Sequence, residues 1–557
     1  MSDPVRLSNP SRYALLAVIL VASFLLKLNH LGHRSLKPLD ESFHAIVAAN
    51  LLKHPLTPTL NDGPTIPIEQ GDWYNAGIWL HKPPLALWQI AGSYALFGVN
   101  PFALRLPSAI LATLSVLFTF LIGRRLFDDV AGLMAAALQA FNPALTMLVH
   151  GYVFSDHVDV SLLFWTELSI YFLLRAMATK NLTGWVICGI AQGLAFLSKT
   201  YPALIVTGLA GVLWVLPGRR ISLKFFIAFV VATIATILPW TIWALMHWPD
   251  LFIDENLGIL KHLTQDVEGW SAPWDRVLFD YWARVFHIYY PAIICAAAIA
   301  FVRLQKSRDA NLWILMAWAM GVLVPNLLAT SKPMIATLVG WPAMWLLLGW
   351  LVSQAVRGDR LALGVWVVSM FYPLLLKSSD FAAMPFSSTA PMGQALHEHS
   401  WVIWGTLICL AGGWALSQFK IGRWEVIVAS LAMIFLSLRW FPSDAPRGYI
   451  NTAWQATQLD REFPNFEKLG EFARTLPANV VLLVEEHDKL DNKLIQFVAD
   501  RTCYPVAQGQ IENFKQKIID AGGVPYLVSA AAKPLPIVFE DQVEHRTLYS
   551  FEPSREK

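Results

Sequence analysis

The chain has little that a secreted or redox protein needs. Four cysteines in 557 residues are too few and too scattered for a disulfide framework, with Cys188, Cys295 and Cys409 inside apolar runs and Cys503 alone near the C-terminus. No CxxC pair marks a zinc or redox site, and no phosphate loop or nucleophile motif stands out. Charge is also scarce. Only 15% of residues are charged and the formal net charge is +2, so bulk attraction to nucleic acid is excluded and basic residues act by position. Paired internal repeats are absent too, which removes the usual mark of a transporter.

Apolar sequence is what the chain has in excess. Hydrophobic residues make up 55% of it, the composition of an integral membrane protein. Runs of about 20 residues, the length that crosses the hydrocarbon core, lie near 13–31, 103–123, 130–149, 159–178, 183–198, 201–217, 223–247, 285–302, 311–329, 334–353, 361–376, 401–418 and 424–441. That predicts about thirteen spans. The division at Ser198-Lys199-Thr200-Tyr201-Pro202 splits an apolar stretch too long for one crossing, and Pro202 favours the break. The first run follows Arg6 and Arg12 but no small-residue cleavage site follows it, so it reads as an uncleaved first helix.

Lys and Arg report the orientation. Arg124 and Arg125, Arg175 and Lys180, Arg219 and Arg220, Arg303 and Lys306, Arg357 and Arg360, and Lys420 and Arg423 alternate onto one side, as the positive-inside rule requires. The opposite, extracytoplasmic side then receives residues 32–102, 150–158, 199–201, 248–284, 330–333, 377–400 and everything after 442. Lys82, Lys199 and Lys332 fall on that outer side, where topology does not ask for them. A snorkelling lysine explains any one of them; three beside proline breaks fit an anionic ligand.

The outer stretch 38–85 is the densest in chemistry. Asp40 and Glu41 open a helical pattern and favour its N-terminus electrostatically, His44 follows, and His81-Lys82-Pro83-Pro84 precedes an apolar run, 83–98, that reads as an interfacial helix. Either carboxylate could serve as a base for a hydroxyl, with lysines supporting a departing phosphate. Asp156 and Asp159, in SDHVDV, lie at the outer end of the following spans, where a carboxylate could orient an acceptor or hold a basic partner. Residues 252–291 read as a long, partly amphipathic loop with an interfacial aromatic belt. His44, His81, His150, His157 and His262 with Glu255 share the outer face without ligand spacing, so the metal is unknown and a divalent cation is left open.

After residue 442 the composition becomes that of a soluble domain, with strands near 480–484, 525–528, 537–539 and 547–551 and helices near 465–475, 489–501 and 510–521. This predicts a small α/β domain, 442–557, in an accessory or stabilising role. Residues 1–441 form the transmembrane domain.

In this order and spacing, LDESFHAIVAANLL, LTPTLND, HKPPLALW, GVNPFALRLPSAILATLSVLFTFLIGRRLF, DVSLLFWTELSIYFLLRA, GLAFLSKTYPALIV and SKPMIATLVGWP resemble the GT-C glycosyltransferases of family 39 type, a family that includes protein O-mannosyltransferases and lipid A aminoarabinose transferase. The resemblance covers about residues 10–350. It implies a GT-C fold, a multi-pass protein of the bacterial inner membrane, and inverting transfer of a sugar from a polyprenyl-phosphate carrier to a lipid, glycan or protein acceptor. It implies Asp40 as the base with Glu41 as its neighbour, and Lys82 and Lys199 as lipid-phosphate contacts. Arg105, Asp159 and Lys332 also match family positions. The chain departs from the family at Phe43 and His44, where an arginine and a tyrosine are usual, at Ala336, and in an insertion at 65–78. A flippase that binds the carrier without making a bond is the competing class. An oligosaccharide transferase acting on asparagine would carry a WWDYG-type sequence, which is missing.

Overall fold

A computed structural model describes residues 5–33, 35–68, 74, 76–152, 156–215, 221–267, 269–307, 309–371, 392–419, 453–457, 465–485 and 491–551. The chain divides into two compact units: residues 1–29, 108–153 and 158–459 form the first, and 30–107, 154–157 and 460–557 the second.

The first unit is helical. Among the described residues, eight helices of the whole chain are long and apolar enough to cross a membrane, and nine if Asp129–Ala140 and Pro143–Val149, bent by 53° at Asn142, count as one span. A helix satisfies its own backbone groups, which is what a lipid environment demands. Three shorter apolar helical stretches, Tyr201–Val215, Arg360–Phe371 and Trp401–Leu416, match three further expected runs. The run near 424–441 lies outside the described residues. The split at Pro202 is present: Leu182–Lys199 ends at Thr200, whose φ of +56° turns the chain before a 3-10 turn, Tyr201–Leu204, and a second helix, Ile205–Val215. Residues 252–291 are more regular than expected. They hold a helix, Pro249–Lys261, and a π-turn, Val277–Tyr281, continued by Trp282–Phe286.

Polar side chains inside this unit find one another. Glu167 is fully buried and accepts from Ser115 and, at 2.7 Å, from Thr119. Lys27 donates to Ser23 at 2.6 Å and to the Ala140 carbonyl at 3.1 Å. Each pairing satisfies a group that apolar surroundings would otherwise leave unsolvated.

The second unit is α/β. Five strands, β1 Val480–Glu485, β2 Cys503–Val506, β3 Val524–Ser529, β4 Ile537–Asp541 and β5 Arg546–Ser550, lie in the order β2-β1-β3-β5-β4. The first three pair in parallel and the last two antiparallel. Strand β2 escapes sequence reading because it has four residues and contains Pro505; at the sheet edge the missing N–H is tolerated. Helices Glu467–Thr475 and Asp491–Ala499 cover one face, and their buried Leu469, Ala473 and Ile495 share a core with Ala45 and Ala48 of Asp40–Leu51 and with Ile90 and Tyr94 of Pro84–Phe97. The acidic stretch and the C-terminal sheet are thus one folded unit.

Candidate active site

The helix Asp40–Leu51 starts abruptly. Leu39 sits at φ +76°, ψ −136°, a conformation unfavourable for a residue with a branched side chain. Two adjacent carboxylates leave that turn in different settings. Glu41 is 2% exposed, while Asp40 is half-buried. Glu41 is enclosed by donors: Arg105 Nε reaches Oε1 at 2.7 Å, Arg105 Nη2 reaches Oε2 at 3.1 Å, and the Lys37 backbone N–H donates to Oε2 at 2.6 Å. The guanidinium is in turn fixed by donating to the Leu31 and Ser35 carbonyls, each at 3.0 Å. Two-pronged geometry of this kind orients both partners.

The other side of the stretch is built by a short ribbon. Thr59 pairs with Ile78 as an antiparallel bridge, and the backbone N–H groups of Leu60 and Trp79 donate to Gly77 and Pro58, each at 2.9 Å. The ribbon buries Trp79, whose ring meets His44 edge-on at 5.6 Å and His81 at 5.7 Å. His44 is fully buried; His81 and Lys82 are half-buried at the entry to Pro84–Phe97. Among the described residues Lys82 has no carboxylate partner. His157 is buried and its ring nitrogen lies 2.8 Å from Gln89.

Four of the expected residues, Asp159, Lys199, Glu255 and Lys332, lie in the helical unit. Lys199 Nζ donates to Asp159 Oδ1 at 2.6 Å, with the carboxylate buried and the lysine one-fifth exposed, so Asp159 holds a basic partner. Lys332 is buried in a loop tied to residues 262–271: its backbone N–H donates to Trp270 at 2.9 Å, and Ser331 pairs with Ser271. Its ammonium donates to the Ala329 carbonyl, and burial lowers its pKa. Glu255 is half-buried on Pro249–Lys261. Asp156 begins the helix Asp156–Thr179, but its side chain lies outside the described residues, as does part of the 65–78 insertion. Among the described residues no three His, Cys, Asp or Glu side chains converge as metal ligands.

Sequence reading overlooked one cluster. Asp280 is buried between Arg276, 3.1 Å away, and Arg284, with His399 at 3.4 Å. The i,i+4 spacing of Arg276, Asp280 and Arg284 was the available signal.

Residues 81–243 match the family described as dolichyl-phosphate-mannose-protein mannosyltransferase. A curated relative from Pseudomonas savastanoi pv. phaseolicola, named undecaprenyl phosphate-alpha-4-amino-4-deoxy-L-arabinose arabinosyl transferase, is 28% identical over 249 residues, 43% of either chain. Its namesake from Pseudomonas aeruginosa strain UCBPP-PA14 is 31% identical over 218 residues, 37% of this chain and 39% of that one. The chain therefore spans less than half the length of these relatives. The crystal structure of ArnT from Cupriavidus metallidurans bound to undecaprenyl phosphate superposes with a TM-score of 0.63 at 16% identity, covering 98% of this chain and 99% of that one. The chain therefore shares the fold of that structure over nearly its whole length, and its residues 81–243 match the mannosyltransferase family model.

Proposed function

We propose that the chain transfers a sugar from a polyprenyl-phosphate carrier to a hydroxyl acceptor on the outer side of a bacterial inner membrane. The observation that carries this reading is the clamped, half-buried setting of the Asp40-Glu41 pair in the first turn of its helix. Glu41 is occupied by Arg105 and Lys37, so it positions the turn, and Asp40 is the carboxylate at a half-buried place beside it.

Asp40 takes the proton of the acceptor hydroxyl as its oxygen attacks the anomeric carbon, the bond from that carbon to the carrier phosphate breaks, and the phosphate leaves with the bonding pair. Lys82, which has no carboxylate partner among the described residues, stabilises the charge that develops on it. Lys199, held by Asp159, and Lys332 are assigned as further phosphate contacts, on the family pattern. The relatives named for undecaprenyl phosphate and the ArnT structure bound to it support this donor class. The basic loops on the opposite side support the outward orientation. The C-terminal domain, 442–557, is assigned an accessory role, supported by the core that residues 466–548 share with the acidic stretch.

The test is turnover by purified full-length protein with radiolabelled polyprenyl-phosphate sugar. Asp40→Asn is expected to insert, fold and bind carrier yet lose at least about a hundredfold in rate, the usual contribution of a positioned base. Wild-type turnover by this variant removes Asp40 from the mechanism, and carrier binding without carrier release by the native chain favours a flippase.

A further inference from the structure

The helical unit contains a cavity of about 890 Å³ that the transfer reaction does not use. It lies among the ends of several helices, and Arg6, Arg124, Arg125 and Lys180 line it together with Asp128 and Asp129. The two carboxylates are already neutralised from outside the cavity. Arg357 reaches Asp128 at 2.6 Å, with Ser353 as a further donor, and Arg12 reaches Asp129 at 3.2 Å. Arg124 also leans on Asp129, at 3.0 Å. Arg6, Arg125 and Lys180 are exposed and have no carboxylate partner among the described residues. The cavity is therefore net positive. Ser222 opens the helix Leu223–His247 at the same wall, adding the positive end of a long helix dipole. Behind the cations the wall is apolar: Trp185 is buried and its ring stacks on Phe225 at 5.9 Å and 8°.

We propose that this cavity is a phosphate-headgroup site, occupied by an anionic phospholipid. A basic rim over an apolar wall fits a lipid that presents a phosphate on a hydrocarbon stem, and the volume lies within the range of ligand pockets. Basic residues at helix ends also serve topology, but topology needs neither a concave wall nor carboxylates neutralised by cations from outside it. The site is independent of the transfer reaction proposed above.

Native mass spectrometry of the full chain, with phosphatidylglycerol and phosphatidylcholine titrated in mixed micelles, tests this. The native chain is expected to retain phosphatidylglycerol and shed phosphatidylcholine. R125Q/K180Q weakens retention about thirtyfold, at about fivefold per surface cation, and the charge-conserving R125K/K180R retains the lipid. K306Q/R360Q removes the same charge from exposed helix ends outside the cavity lining and stays within about twofold. Should the double variant not fold, Lys180→Gln, at an exposed turn, is expected to show the single fivefold loss. Displacement of the lipid by millimolar inorganic phosphate assigns the site to a soluble phosphate, and resistance assigns it to the lipid. Equal losses in R125Q/K180Q and K306Q/R360Q, or no loss in either, overturn the site.

Discussion

Asp40 and Glu41 are adjacent in sequence and differ in almost everything a structure can change. Glu41 and Arg105 are each 2% exposed, and their pairing replaces the water both have lost. Removing one partner of such a pair leaves a buried, uncompensated charge, which is far more damaging than removing both. Arg105→Met is therefore expected to lower stability by about 3–5 kcal/mol, and adding Glu41→Gln to it to recover a large part of the loss. Thermal unfolding of the purified variants measures both. Asp40→Asn, half-buried at the first position of its helix, is expected to leave the unfolding temperature within a degree or two of the native value while turnover falls at least about a hundredfold. The sequence marks both carboxylates as candidates, and their family positions are legible. The clamp on Glu41 is not, because Arg105 lies 64 residues away and only the folded chain brings it there.

At the level of elements, hydrophobic periodicity and proline punctuation carry most of the information. Apolar runs locate the spans, Ser198 to Pro202 locates a break, and four strands of the sheet are legible as short β-branched runs. Strand β2 is hidden because Pro505 argues against a strand unless the edge position is known. Helix contacts are hidden in the same way, although GIAQG at 189–193 is a small-xxx-small signal in plain view. A Cβ on Gly189 would stand 2.3 Å from the Phe229 carbonyl oxygen, and one on Gly193 2.5 Å from Thr236 Cβ. Thr233 bridges the seam, donating to the Gly189 carbonyl at 3.1 Å. The helices Leu182–Lys199 and Leu223–His247 can meet this closely only because those side chains are missing. Gly189→Val is expected to force them apart, at about 3 kcal/mol, the upper end of ordinary overpacking. Gly208→Ala, where a Cβ meets nothing within 4 Å, should be neutral or slightly stabilising in the same thermal assay. Equal unfolding temperatures for the two variants would show that the seam is not closely packed.

For the whole molecule, the distribution of Lys and Arg sorts the loops into two alternating sets, but it says nothing about which loops fold together. A composition shift after 442 suggests a separate soluble domain, yet residues 460–557 and 30–107 share cores and hydrogen bonds that no local pattern announces. Lys493 is the sharpest instance. It is 1% exposed, donates to Asn61 at 3.3 Å and to Gln496 at 2.9 Å, and Gln496 donates to the Leu60 carbonyl at 2.8 Å. Burial lowers its pKa from 10.5 to about 8. The unfolded chain therefore holds a proton on Lys493 between pH 8 and 10.5 that the folded chain has released, so stability from this group rises with pH across that window and is lost as pH falls to 8. Cys503 acts in the opposite sense, because burial raises its pKa from 9.0 to about 12 and the unfolded chain ionises first. Its contribution falls above pH 9. The net expectation is a gain of roughly 1 kcal/mol between pH 7.5 and 9, levelling off above that. Lys493→Met, which keeps an unbranched side chain of similar length without the titrating group, should show no gain over the same interval. Thermal unfolding of both proteins at the two pH values measures the difference, and parallel pH curves would mean that the ammonium reaches water in the folded chain and that the contact with residues 60 and 61 is looser than the packing implies.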